Sequence, residues 1–448
     1  MITPSLELRR SLGVRDVALL TIGAVIGSGI FFVPGKVIRL AGGSLFVSHL
    51  AWIAGGVMAL SGALTLSELG ARRPDAGGMY VYIRDAFGRA PAFLFGWTIM
   101  LAVGAGTVAT LAVAFGDTAQ RLFGLSGTTA KWLAIAAIVV LTLMNLGTAR
   151  ATAFLQGLTG VIKGGVLLLL AGVIVVAAQH SSGTATLIES AGAAAPTFTA
   201  IVASMVTVLW AYEGWQTVTY CAGEMKDPER VLPRGFIYGV IGLVVIYVTV
   251  NAACAYGLGA AALAQSQQPV ADTLAAVGHQ NLAQFVRVFV AFSILGAAHA
   301  SLFTDSRVIY AMARDGLFFA AFARVSEHTR IPQRAVLAIA ACAMVLAIFN
   351  AFDALLSLVV VASWFFVALA GAAIFVFRRR EPAIPHLFRV PLYPIVPAIF
   401  VLSSAGVVVS SWFTGPPTAR FGLAVMILGW VVFGVWSRSH GPSTQPAP

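Results

Sequence analysis

Residues Thr21–Phe32 read TIGAVIGSGIFF, inside an apolar run long enough to cross a membrane. Gly23, Gly27 and Gly29, with Ser28, fall in the middle of that run. A glycine in a helix interior costs roughly 1 kcal/mol relative to alanine, so this span is weakened where it should be strongest. One reading is close packing, since Gly23-x-x-x-Gly27 is a small-residue pattern of touching membrane helices. The other is a deliberate break. In hydrocarbon a broken helix leaves N–H and C=O groups unpaired at several kcal/mol each, which is tolerable only beside a wet or ligand-filled cavity. N–H groups freed around Gly27–Gly29 can hold a carboxylate, and freed carbonyls an ammonium. Together these are the two ends of an α-amino acid.

The rest of the chain supports a membrane setting. Hydrophobic residues make up 59% of the 448 and charged residues 10%, against about 25% charged in soluble domains, and mean hydropathy is +0.90. Each crossing needs about 20 apolar residues. Twelve such runs are predicted, near 17–39, 44–69, 91–120, 131–148, 153–178, 196–221, 233–258, 282–313, 335–350, 353–377, 392–413 and 420–436, with a tight turn at Asn350–Asp353. All but a handful of the 28 Lys and Arg fall on one side if both termini are cytoplasmic, and an odd number of spans would scramble that bias. The net charge of +11 is dispersed in short clusters between apolar runs, so no nucleic-acid surface is indicated. The first run exceeds a signal-peptide core and reads as an uncleaved helix. Cys221, Cys254 and Cys342 show no pairing or ligand spacing and read as core residues. The tail GPSTQPAP reads as disordered.

A second interruption occupies the sixth run, MVTVLWAYEGWQTV, where Gly214 stands beside Glu213, Trp210 and Trp215. If the chain is two inverted five-helix repeats plus two further helices, runs one and six correspond. Paired interruptions in the two halves point to a transporter's midplane site. Lys163, in LTGVIKGGVLLLL, lies deep in the fifth run, too far from either end to snorkel easily. An intramembrane lysine is a functional candidate by default. Enzyme and channel readings find less support. The seven histidines are scattered without HExxH or a carboxylate cluster, no metal or cofactor site is indicated, and no filter motif or charged ring is visible.

Several stretches, in order, carry a resemblance to a known family: IGAVIGSGIF in run one, ELGARRPDAGGMYVYIRDAFG after run two, WAYEGWQ, EMKDPERVLPR, SLFTDSRVIYAMARDG, and SWFFVALA followed by RRREP. They resemble the amino acid–polyamine–organocation superfamily, most closely the L-type amino-acid transporter light subunits and their bacterial relatives, over residues 14 to 436. The resemblance implies an all-α integral membrane protein with twelve transmembrane helices in the five-plus-five inverted-repeat, leucine-transporter fold. The expected segments are 1–16 as cytoplasmic N-terminus, 17–178 and 196–377 as the repeats, 392–436 as two C-terminal helices, and 437–448 as a cytoplasmic tail. It further implies alternating-access transport in the inner, plasma membrane, with Val25, Ile26, Gly27, Ser28 and Gly29 on the substrate's carboxylate side. Trp210 would be an aromatic gate, with Ala211, Glu213 and Gly214 lining the second break. Lys163 would bridge helices one and eight, with Ser301 its helix-eight partner, where sodium-coupled relatives hold an ion. Sodium-independent exchange of L-amino acids follows. The family's eukaryotic members join a glycoprotein through a cysteine between helices three and four; the loop here has none, so no covalent partner is implied.

Individual residues stay open. Glu213 either reaches the cavity, favouring small or cationic substrates, or caps freed N–H groups or joins a polar network. A cationic amino-acid or polyamine permease, or a proton symporter, is therefore the alternative function. Gln216 either bonds the substrate side chain or ties helices together. Trp364 is a weaker candidate for the cavity wall. His299 could join a proton route, whereas Asp305 and Arg307 read as structural pairs near the end of helix eight. Helix three has no carboxylate in GWTIMLAVGAGTVAT, which weakens proton symport.

Overall fold

The computed structural model describes residues 8–179, 197–349, 352–381, 384, 386–414 and 420–439. Among the described residues the regular elements are all helices, joined by turns and loops, with one isolated bridge between Leu12 and Met225. Span 1 is Val14–Val25 followed, after a bend of 53°, by Gly29–Leu40. Span 2 is Leu45–Arg72, span 3 Arg89–Phe123, span 4 Gly127–Asn145 and span 5 Ala149–Gln179. Span 6 is Phe198–Ala211 followed by the tighter 3₁₀ winding of Trp215–Glu224. Span 7 is Pro228–Leu258, span 8 Gln280–Arg314, span 9 Gln333–Phe349, span 10 Phe352–Arg380, span 11 Ile395–Thr414 and span 12 Arg420–Ser439.

These match the twelve runs read from the sequence. The interior of the expected turn after span 9 and residues 440–448 of the expected tail lie outside the described residues, whereas 437–439 continue span 12. Four short additions were not expected: the helix Met79–Phe87 after span 2, Ala260–Gln265 and Pro269–Ala276 between spans 7 and 8, and the 3₁₀ turn Ala320–Ala323 after span 8. Each is too short to cross a bilayer.

Local chemistry sets several boundaries. Ser44, Ser126 and Thr197 accept hydrogen bonds from the N–H groups of Val47, Thr129 and Ala200, capping the starts of spans 2, 4 and 6. Span 3 stops at Gly124, whose φ of +65° favours glycine.

Packing reveals the architecture. Span 1 lies on span 6, span 2 on span 7, span 3 on span 8 and span 4 on span 9. A chain folded as two like five-span halves about a common axis brings spans five apart in sequence together in this way, here for the first four of the five pairs. Spans 11 and 12 sit outside, against spans 2 and 10 and against span 3. Large apolar side chains such as Phe46, Leu143, Leu169 and Leu402 face outward, while Glu68, Lys163, Glu224 and Arg307 are wholly buried. That is the distribution a surrounding lipid phase demands.

One end of the bundle is tied by charge. Glu68 of span 2 holds Arg378 of span 10 at 2.6 Å and Arg72 at 3.2 Å. Arg73 reaches both Asp85 and Glu381, and Arg84 reaches Asp315 beyond span 8. Arg307 of span 8 and Glu224 of span 6 form a buried pair at 2.6 Å. Beside that pair, the amides of Ser11 and Leu12 donate to the Glu224 carbonyl, and the Lys226 amide donates to Leu12.

Candidate functional site

The two interruptions face one another at a cavity of about 120 Å³. A single water needs only about 10–15 Å³, so the space suits a small metabolite. It is lined from span 1 by Ala24, Val25, Gly27, Ser28 and Gly29, and from span 6 by Trp210, Ala211, Glu213, Gly214 and Gln216.

The glycines of span 1 divide between the two readings of the sequence. Gly23 is for packing: a Cβ there would meet the Gln156 carbonyl of span 5 at 3.0 Å. Gly29 is for closure of the two breaks, since a Cβ would lie 2.9 Å from the Ala211 Cα. The helix stops at Val25 and restarts at Gly29. Among the described residues, the amides of Ser28, Gly29 and Ile30 have no acceptor, so the second half-helix presents a bare N-terminus at the cavity.

The carbonyls released on the other side are served from behind. Lys163 of span 5, wholly buried, donates from Nζ to the Ile26 carbonyl at 2.7 Å and the Gly23 carbonyl at 3.1 Å. Ser293 of span 8 donates to the carbonyls of Ile26 and Gly27, both at 3.0 Å. Ile26 is fully buried and is not among the lining residues; its contribution is this carbonyl rather than a wall of the site. Its place on the substrate's side is thereby corrected.

The expected Lys163–Ser301 pair does not form. Ser301 lines the cavity and donates to Asp305 Oδ2 at 2.6 Å. On span 8 the lysine instead abuts Gly296, where an added Cβ would fall 2.8 Å from Nζ. The physical reason is length: Ser301 lies more than a turn beyond Gly296, about 7.5 Å along the helix.

Span 6 turns differently. Gly214 has φ +118°, and its N–H donates to its own neighbour Gln216 Oε1 at 3.0 Å. Gln216, left open by the sequence, therefore closes the break. Glu213 accepts from Ser363 of span 10 and so bridges two spans; Trp364 packs beside that carboxylate. Trp364 itself is buried and absent from the lining, where Val359 and Ser363 stand instead, which corrects its place as a wall candidate. Tyr247 of span 7 joins the two breaks, donating to Ala211 O at 3.1 Å and Val25 O at 3.3 Å. Trp210 lines the cavity and is half-buried.

The sequence reading missed the floor. Ile99 and Val103, at either end of a π-helical turn in span 3, line it together with Thr107, Tyr220 and Asp305. Such turns recur at functional sites. His299, considered for a proton route, hydrogen-bonds Gln156 through Nδ1 and is not among the lining residues.

Comparison with known proteins places this geometry in a family. A family described as amino acid permease matches residues 12–433. A serine/threonine exchanger of Bacillus subtilis is 29% identical, covering 94% of each chain. The b(0,+)-type amino acid transporter 1 of Mus musculus is 28% identical over 96% of this chain and 89% of its own. The human cystine/glutamate transporter is 27% identical over 96% and 87%. These relatives are transporters, not enzymes. The chain is a multi-pass membrane transporter that belongs to the amino acid permease family, on the L-type branch of the amino acid–polyamine–organocation superfamily.

Proposed function

We propose that this protein is a secondary active, sodium-independent exchanger of L-amino acids working by alternating access in the plasma membrane, with both termini cytoplasmic. The observation that carries the reading is the Lys163 ammonium seated on the carbonyls of Gly23 and Ile26 behind an open helix N-terminus. A fixed positive charge there does the work of a bound cation and needs no ion gradient. The bare amides from Ser28 to Ile30 take the substrate carboxylate. Carbonyls at the ends of the two broken helices, Ala24 and Ala211 among them, take its ammonium. Trp210 closes over the occupied site.

In this reading, residues 17–178 and 196–377 are the two inverted halves, 392–436 the added pair of helices, and the chain operates without a disulfide-linked partner. The tied end of the bundle is the cytoplasmic gate. Opening there separates the Arg307–Glu224 pair and the ion pairs around Glu68, Glu381 and Asp315, while the opposite end closes. The sequence relation to an exchanger and to amino acid transporters supports the same substrate class.

The test is uptake of labelled L-serine and L-alanine into proteoliposomes. Preloaded unlabelled amino acid accelerates uptake severalfold, and replacing sodium by choline changes nothing. Uptake that ignores the internal amino acid, or that needs sodium, removes this reading.

A further inference from the structure

Two carboxylates line the cavity, Glu213 and Asp305, and no Lys, Arg or His side chain does so among the described residues. Each accepts one serine hydroxyl, Glu213 from Ser363 and Asp305 from Ser301, and they differ in what stands beside them. Glu213 is engaged by Ser363 and flanked by Trp364. Asp305, only 2% exposed, has one oxygen bonded to Ser301 Oγ, and its other oxygen has no partner among the described residues. Span 3 makes room for it: a Cβ at Gly104 would lie 3.0 Å from Asp305 Oδ2, directly after the π-helical turn Ile99–Val103. Arg307, two residues on, is turned away to Glu224 and the Phe303 carbonyl. A carboxylate at this depth without a partner is costly unless a proton or a cationic ligand neutralises it.

Distance gives the ligand's shape. Ala297 of span 8 touches span 1 at Gly27, with 3.3 Å between its Cβ and one placed on that glycine. From there to Asp305 is eight residues, about 12 Å along the axis. The aspartate reaches back about one turn to Ser301, which leaves roughly 6–8 Å between the amide cradle and the carboxylate. An ornithine, lysine or arginine side chain spans that gap.

We propose that Asp305, positioned by Ser301 and admitted by Gly104, is a charge-reading subsite that selects amino acids whose side chain ends in an ammonium or guanidinium group. This rests on the cavity being the amino-acid site, and it assigns the selection to Asp305 and not to Glu213.

The test uses L-arginine and L-citrulline, which share shape and differ in charge, as competitors of labelled L-serine uptake by the full-length protein in proteoliposomes. The wild type favours arginine by about tenfold or more, as expected where a buried charge would lose its partner. In Asp305→Asn that ratio falls toward one, and in Ser301→Ala it falls part-way. Should Asp305→Asn not yield folded protein, Ser301→Ala and Asp305→Glu decide. No preference in the wild type overturns the proposal. So does a preference that survives Asp305→Asn but vanishes in Glu213→Gln, or an equal loss for both competitors with an altered pH profile, which would make Asp305 a proton carrier. Arginine thermally stabilising the purified wild type but not Asp305→Asn supports the subsite even if trans-stimulation by serine is absent, an outcome that would fail only the exchanger reading.

Discussion

The interruptions of spans 1 and 6 face the same cavity but are held open by different means. In span 1 the released carbonyls are satisfied by groups from other helices, chiefly Lys163, with Ser293 beside it. In span 6 the chain closes its own break: Gly214 adopts a positive φ and Gln216, two residues away, takes its N–H. Tyr247 serves both. The difference teaches where polarity can be controlled. A break satisfied from outside responds to movement of its partners, whereas one satisfied from within travels as a rigid piece. Span 1 therefore couples the site to spans 5 and 8, whereas the Gly214 turn of span 6 carries its own geometry and is tied outward through Glu213 to span 10.

Substitutions can break this contrast. Lys163→Ala takes the side-chain donor from the Gly23 carbonyl and one of two from the Ile26 carbonyl, which keeps Ser293, and is expected to have the largest effect, cutting proteoliposome uptake by about twentyfold or more, since an orphaned buried group costs about 1–3 kcal/mol and the amine that joins spans 1, 5 and 8 is lost. Uptake near the wild-type rate would mean that span 1 does not depend on outside support. Next comes Gly214→Ala. At φ +118° with the Ala24 carbonyl 3.0 Å from the new Cβ, strain of about 1–3 kcal/mol should lower uptake roughly tenfold and depress the melting temperature; an unchanged melting curve would show that the turn does not need its glycine.

Smaller effects sharpen the contrast. Tyr247→Phe removes one hydroxyl shared by both breaks, about 1 kcal/mol, and should slow uptake some fivefold, with thermal shift by substrate reporting weaker binding. Gln216→Ala frees a single amide that cavity water can reach, so about a twofold loss is expected on the same assay. If Gln216→Ala proves as damaging as Lys163→Ala, the two spans are supported alike and the distinction falls.

Much of this was legible in advance. TIGAVIGSGIFF and WAYEGWQ announce their breaks because glycine, serine and a carboxylate have no cheap place in mid-membrane helices. Lys163 announces itself for the same reason. Less legible was which partner each group would choose. Ser301 looked like the lysine's neighbour, yet Ser293 and Gly296 hold that position. A signal was present: Ser293, Ala297, Ser301 and Asp305 recur every four residues, a stripe of small and polar groups on one face of span 8. That stripe runs from the span 1 break to the cavity floor. It also explains how span 3 can lack an acid while the wall it shares with span 8 has one.

What the sequence determined by itself was the number of spans, the location of the two weak points and the presence of a charge too deep to be incidental, because hydrocarbon penalises every unpaired polar group whatever the fold. What only the tertiary structure decided was the rotation and depth of each helix against its neighbours. Those set whether Glu213 meets a serine, whether Ile26 faces inward or behind, and whether Asp305 opens onto the cavity, since a shift of one turn, about 5.4 Å, exchanges one partner for another.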